Sequence, residues 1–200
     1  MDSRLEKKAL VLSTVTVGYN VLEGVVSILA GMSAGSIALV GFGLDSFIES
    51  LSGGIMIWRF RRHETLTRDE EKRIERKAAR LVGSTFFVLA AYVLYESVHK
   101  LSVHEAVHPS IVGIIIAVFS LIFMPVLFYL KHKTGIALNS RSLIADSKQT
   151  LACMFMSAAL LIGLGLNYLF GFWQADPIAG LVIVLFLLRE GYEALEGEEP

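Results

Sequence analysis

Asp45 and Glu49 stand four residues apart in a stretch that otherwise reads Ala38, Leu39, Val40, Phe42, Leu44, Phe47, Ile48 and Leu51. On an α-helix that spacing puts both carboxylates on one face, one turn apart. An ionisable side chain at mid-bilayer costs roughly 2.5–3.5 kcal/mol on insertion scales, so a buried acid marks a functional site by default. Two such acids repel when ionised, and they must share protons or hold a cation between them. That is the chemistry of a divalent-metal site that exchanges metal for protons. A purely structural role, bonding to a neighbouring helix, needs one buried carboxylate and leaves the second unexplained.

A second polar stripe lies further along. Asp146, Gln149 and Cys153 fall at i, i+3 and i+7, on one helical face. If the two helices face each other, Asp45, Glu49, Gln149 and Cys153 supply two carboxylates, an amide oxygen and a thiol, with Asp146 as a secondary candidate. Four ligands suit a tetrahedral site, and a thiolate favours zinc-like, softer cations over magnesium or calcium. Taken alone, Cys153 is an ordinary small buried residue. Asn20 and Glu23 are further polar residues in an apolar run, as are Glu96 and Lys148 near span ends. Asp176, before Pro177, is expected to cap the helix that follows. His99, His104 and His108 cluster near one face, where they read as surface histidines or as a relay for metal.

The elements that must position these residues are membrane spans. Of 200 residues, 54% are hydrophobic and 18% charged, against about a quarter charged in soluble domains; mean hydropathy is +0.60. A span needs about 20 mostly apolar residues. Six stretches approach this: Ala9–Met32, Ser36–Trp58, Leu81–Leu101, Ser110–Leu130, Ser142–Leu166 and Ala175–Tyr192. The last is the weakest, with Arg189 and Glu190 expected at the interface. The expected fold is therefore all-α, a polytopic six-transmembrane-helix bundle forming one domain over residues 1–200.

Charge sets the orientation. Arg59, Arg61, Arg62, Arg68, Lys72, Arg73, Arg76, Lys77 and Arg80 crowd the link after the second span. Arg4, Lys7 and Lys8 precede the first, and Lys131, Lys133 and Arg141 bracket the link from the fourth to the fifth. Only Lys100 lies on the other side, so both termini are expected in the cytoplasm. Thr67–Arg80 reads as a solvated link or as a helical extension of the third span, with Glu71 and Glu75 one turn apart. A net charge of −1 argues against a nucleic-acid partner. The single cysteine rules out an internal disulfide, and the charged start shows no cleavage pattern of a signal peptide.

Several of these stretches resemble the membrane domain of the cation diffusion facilitator (cation efflux) family. Ser33-Ala34-Gly35-Ser36-Ile37-Ala38-Leu39 looks like its first link and the start of its second span. Asp45 and Glu49 fall where that family places a His or Asp and an Asp. Ala145-Asp146 through Cys153 resembles the fifth-span motif, and Asp176-Pro177-Ile178-Ala179 the start of the sixth. The resemblance implies a homodimeric transporter of the cell (inner) membrane, not an enzyme, exporting zinc or a similar ion (cobalt, cadmium, iron or manganese) in exchange for protons. It holds no prosthetic group. Three departures stand out: Glu49 replaces an Asp, Gln149 and Cys153 occupy the family's His and Asp positions, and the chain after Glu190 is too short for a cytoplasmic metal-binding domain. The alternatives are a membrane metal sensor or subunit, and an intramembrane aspartyl protease. The latter needs two acids facing across a cleft, whereas Asp45 and Glu49 share one helix. Replacing Asp45 with alanine is expected to abolish metal flux while leaving the protein inserted; unchanged flux in a well-expressed variant removes Asp45 from the path.

Overall fold

In hydrocarbon every backbone N–H and C=O must be bonded within the protein, which leaves helices as the solution for apolar runs of this length. The computed structural model describes residues 3–62 and 68–196, with side chains except at 3, 59–60, 62, 68–69, 71–72, 74–75, 78–79 and 141–142. The described residues form α1 (Ser3–Ala34), α2 (Ile37–Arg62), α3 (Arg68–Val103), α4 (Ile111–Ala137), α5 (Arg141–Phe170) and α6 (Ala175–Glu196), with no strand among them. Five contain segments long and apolar enough to cross a bilayer: Arg4–Ala34, Ile37–Trp58, Arg80–Val103, Ile111–Ala137 and Leu143–Phe170. In α6 the apolar run Pro177–Leu188 is closed off by Asp176 on one side and Arg189 on the other. Large apolar side chains such as Leu22, Val88, Phe119, Ile122, Leu169 and Leu185 point outward, as they do where lipid is the solvent. The protein is a helical integral membrane bundle.

The helices run past the expected spans, and two of the extensions matter. α3 continues back to Arg68, so the charged stretch is helical, and Arg73, Arg76, Lys77 and Arg80 are exposed along it. Thr67 lies outside the described residues, as do the side chains of Arg59, Arg62, Arg68, Glu71, Lys72, Glu75 and Arg141. α4 does not stop at Leu130 but runs to Ala137. That extension carries Lys131 into the bundle, where it is 1% exposed. Lys131 is thus a buried cation and not part of the link.

α1 packs along α2, α4 along α5 and α3 along α6, while α2 also meets α3, α5 and α6. The core around α2 holds Phe42, Val93, Met124, Cys153, Met156, Leu160, Ile183 and Leu187. Close approach of α1 and α2 depends on glycine. A Cβ on Gly24 would sit 2.9 Å from the Gly43 carbonyl oxygen and 2.9 Å from the Phe47 ring, so only hydrogen fits there. The turn between these helices is as tight as expected: Gly35 takes φ +66°, a conformation open to glycine at no steric cost. Ser36 then caps α2, its Oγ accepting from Leu39 N at 3.0 Å.

Asp176 corrects one expectation. Its carboxylate accepts from Ser36 Oγ and, at 3.0 Å, from Ile37 N. It therefore caps α2 from a distant helix instead of capping its own, because the free N–H groups at the start of α2 lie against α6 and burial leaves the carboxylate no water. This bond fixes α2, and with it Asp45 and Glu49, relative to α6. Asp176→Ala is expected to destabilise the protein by about 1.5–3 kcal/mol, as loss of a buried charged hydrogen bond does. Asp176→Asn, which keeps an acceptor, should lose less, and thermal unfolding in detergent measures both.

Candidate metal site

α2 presents Asp45 and Glu49 inward, and α5 presents Cys153 against them; all three are buried, with Cys153 fully so. One carboxylate oxygen of each acid and Cys153 Sγ all lie within 4.8 Å of one another. Among the described residues this is the one group of His, Cys, Asp and Glu side chains close enough to share an ion. Tetrahedral bonds of about 2.0 Å to oxygen and about 2.3 Å to sulfur need ligand separations of roughly 3.3–3.5 Å. Asp45 Oδ2 is buried and has no hydrogen-bond partner among the described residues, a costly state for a carboxylate unless a cation or proton joins it.

The other two candidates on α5 are engaged elsewhere. Gln149 is half-buried, and its Oε1 accepts from Ser52 Oγ at 2.8 Å, one turn along α2 from Glu49. Asp146 Oδ2 lies 2.9 Å from Lys131 Nζ, with both side chains buried. Lys131 also donates to Thr150 Oγ1 at 3.0 Å. Asp146 is thus neutralised by its own cation, whereas no Lys or Arg is paired with Asp45 or Glu49 among the described residues. Asp146, Gln149 and Cys153 share the i, i+3, i+7 stripe, and of its acid and thiol members Cys153 is the one grouped with the α2 acids.

α1 contributes more than its sequence suggested. Ser13, Thr16, Asn20, Glu23 and Ser27 are all buried, and their alternating three- and four-residue steps form one polar seam. Asn20 Nδ2 donates to Glu49 Oε2 at 2.9 Å. Glu23 accepts from Tyr19 Oη at 3.0 Å and from Ser46 Oγ at 2.9 Å. Glu190, expected at the interface, turns inward and is buried, while Arg189 stays outside and bonds Glu193 at 2.8 Å. Lys148 is exposed at the helix surface. The seam was visible in the sequence as polar residues at heptad spacing; nothing in the sequence showed that it faces α2.

His99, His104 and His108 are exposed and do not converge into a metal group. His99 stacks on Tyr95 and His104 lies against Trp173. Beside them the Lys100 ammonium, 2.8 Å from Glu105, holds the Glu105 carboxyl below its ordinary range.

Fold and site together define a polytopic helical membrane protein with a candidate cation centre at its middle. The chain belongs to the cation efflux family: residues 13–196 match the family model of the cation efflux transmembrane domain. It is 24% identical over 197 residues to transmembrane protein 163 of Xenopus laevis, covering 97% of this chain and 68% of that protein. It is 23% identical over 192 residues to the cadmium, cobalt and zinc/H(+)-K(+) antiporter of Bacillus subtilis (strain 168), covering 93% of this chain and 60% of that one. The cation-efflux pump FieF of Shewanella oneidensis is 24% identical over 173 residues, covering 84% of this chain and 58% of the pump. The chain thus spans about six-tenths to two-thirds of these relatives. The family is one of metal-cation transporters and not of enzymes.

Removing one partner of a buried ion pair strands the other charge, at about 3–5 kcal/mol. Lys131→Met is expected to destabilise the protein by that order, and Lys131→Met with Asp146→Leu to recover most of it. A double-variant loss equal to the sum of the two single losses, measured by unfolding in detergent, would show that the pair is not coupled.

Proposed function

We propose that the protein moves divalent metal ions out of the cytoplasm in exchange for protons, with zinc-like ions as its cargo. The observation that carries this reading is the convergence of Asp45, Glu49 and Cys153 at the centre of a membrane bundle with no protein cation paired to either acid among the described residues. Two anionic oxygens and a soft sulfur favour zinc, cadmium or cobalt over manganese or magnesium. A thiol and carboxylates bind metal only after losing their protons, so metal arrival and proton release are linked by the ligands themselves. The Bacillus relative, whose name records cadmium, cobalt and zinc exchanged for H(+) and K(+), supports the same direction of reasoning. Exposed cations on the α2–α3 side, Arg61, Arg73, Arg76, Lys77 and Arg80, support cytoplasmic termini. We place the protein in the cell (inner) membrane as a homodimer, as its likeness to cation diffusion facilitators implies.

Proteoliposomes test this directly. Zinc uptake is expected to be faster when the vesicle lumen is more acidic than the outside, because protons then leave as metal enters. A rate indifferent to that gradient would count against exchange and favour a uniporter. Cys153→Ser should weaken zinc and cadmium transport more than manganese transport. An unchanged selectivity order would reduce Cys153 to a packing residue.

A further inference from the structure

The three converging side chains leave a four-coordinate ion one ligand short, and Gln149 is held by Ser52. A second buried amide stands at the site from a helix that the ligand pattern of α2 and α5 does not include. Asn20, on α1, is fully buried. Its Nδ2 donates to Glu49 Oε2 at 2.9 Å, yet its Oδ1 has no hydrogen-bond partner among the described residues. An orphaned amide oxygen in a membrane interior is costly, so the present orientation of the amide is held at one end only.

We propose that Asn20 completes the metal site, its Oδ1 serving as the fourth ligand beside Asp45, Glu49 and Cys153. This rests on the metal-transport reading above and adds α1 to the elements that hold the ion. An amide suits the position for a specific reason. It is neutral, and half a turn about its terminal torsion exchanges a donor for an acceptor at the same place. Without metal, the N–H faces the Glu49 carboxylate and lessens its repulsion with Asp45. With metal, the oxygen takes that place, and the same residue changes from a partner of the ligand to a ligand. Because the oxygen is uncharged, it fills the coordination shell without adding a third carboxylate. The site is then held by α1, α2 and α5 at once, so ion arrival ties α1 to the rest of the bundle.

Affinity alone does not separate a ligand from a residue that orients one, since losing either costs about 10–100-fold. Cobalt spectroscopy of the full chain in detergent does. Wild-type protein with Co²⁺ should show a thiolate-to-cobalt charge-transfer band and intense four-coordinate ligand-field bands. In Asn20→Leu, close in size but without a donor atom, the charge-transfer band should persist at higher cobalt while the ligand-field bands shift and weaken. Asn20→Asp keeps an oxygen and loses the N–H, so it separates the two roles even if the leucine variant folds poorly. With a ligand oxygen still supplied from α1, the Asn20→Asp variant should retain the four-coordinate bands and at least wild-type affinity. Unchanged ligand-field bands in Asn20→Leu, or loss of binding by tenfold or more in Asn20→Asp, would overturn the proposal and leave the three-residue site intact. Absence of a charge-transfer band in the wild type would overturn the thiolate site and this inference with it.

Discussion

Everything in this bundle answers to the expense of keeping Asp45 and Glu49 away from water. Their helix lies in the middle of the fold and meets α1, α3, α5 and α6, so neither acid can reach lipid headgroups or solvent by extending its side chain. Among the described residues, no arginine or lysine forms an ion pair with either acid. A thiol lies beside both and an amide N–H bonds Glu49 instead, groups that lessen the penalty without occupying the position of a cation. A centre built this way is poised to accept positive charge, either as protons or as metal.

The Lys131–Asp146 pair shows the other solution to the same problem. There a carboxylate meets a permanent counter-ion at 2.9 Å, and Thr150 accepts a further hydrogen bond from the ammonium. Such a pair is internally satisfied and has little to offer an arriving ion. The two carboxylate environments are close in the fold, since Asp146 and Cys153 share α5, but they differ in kind. Burial alone therefore does not set how a carboxylate in a membrane is neutralised; the presence of a fixed cation does.

Packing at the other end of the bundle holds the centre in place. The α1–α2 turn at Gly35, the contact between Gly24 and Gly43, and the reach of Asp176 to the start of α2 lock three helices at short range. Each depends on an atom too small or a charge too specific to be exchanged freely. Together they set the depth and rotation of α2, which decides where Asp45 and Glu49 point. The polar seam of α1 is then brought against α2, and Asn20 and Glu23 find their partners there.

The sequence by itself determined the helical membrane character, the six segments, and Asp45 and Glu49 as one face of one helix, because hydropathy and a four-residue spacing are local properties that any helix must obey. It also placed Cys153 on a polar stripe with Asp146 and Gln149. Which member of that stripe meets the α2 acids is a matter of how α2 and α5 are rotated and how deep each sits, and only the tertiary structure decided it. The same holds for Lys131, whose burial depends on α4 continuing one to two turns beyond its apolar run, and for Asp176, whose partner is 139 residues away in the chain. Local pattern fixes which atoms share a helix face; the long-range packing of glycines, caps and ion pairs fixes which face they meet.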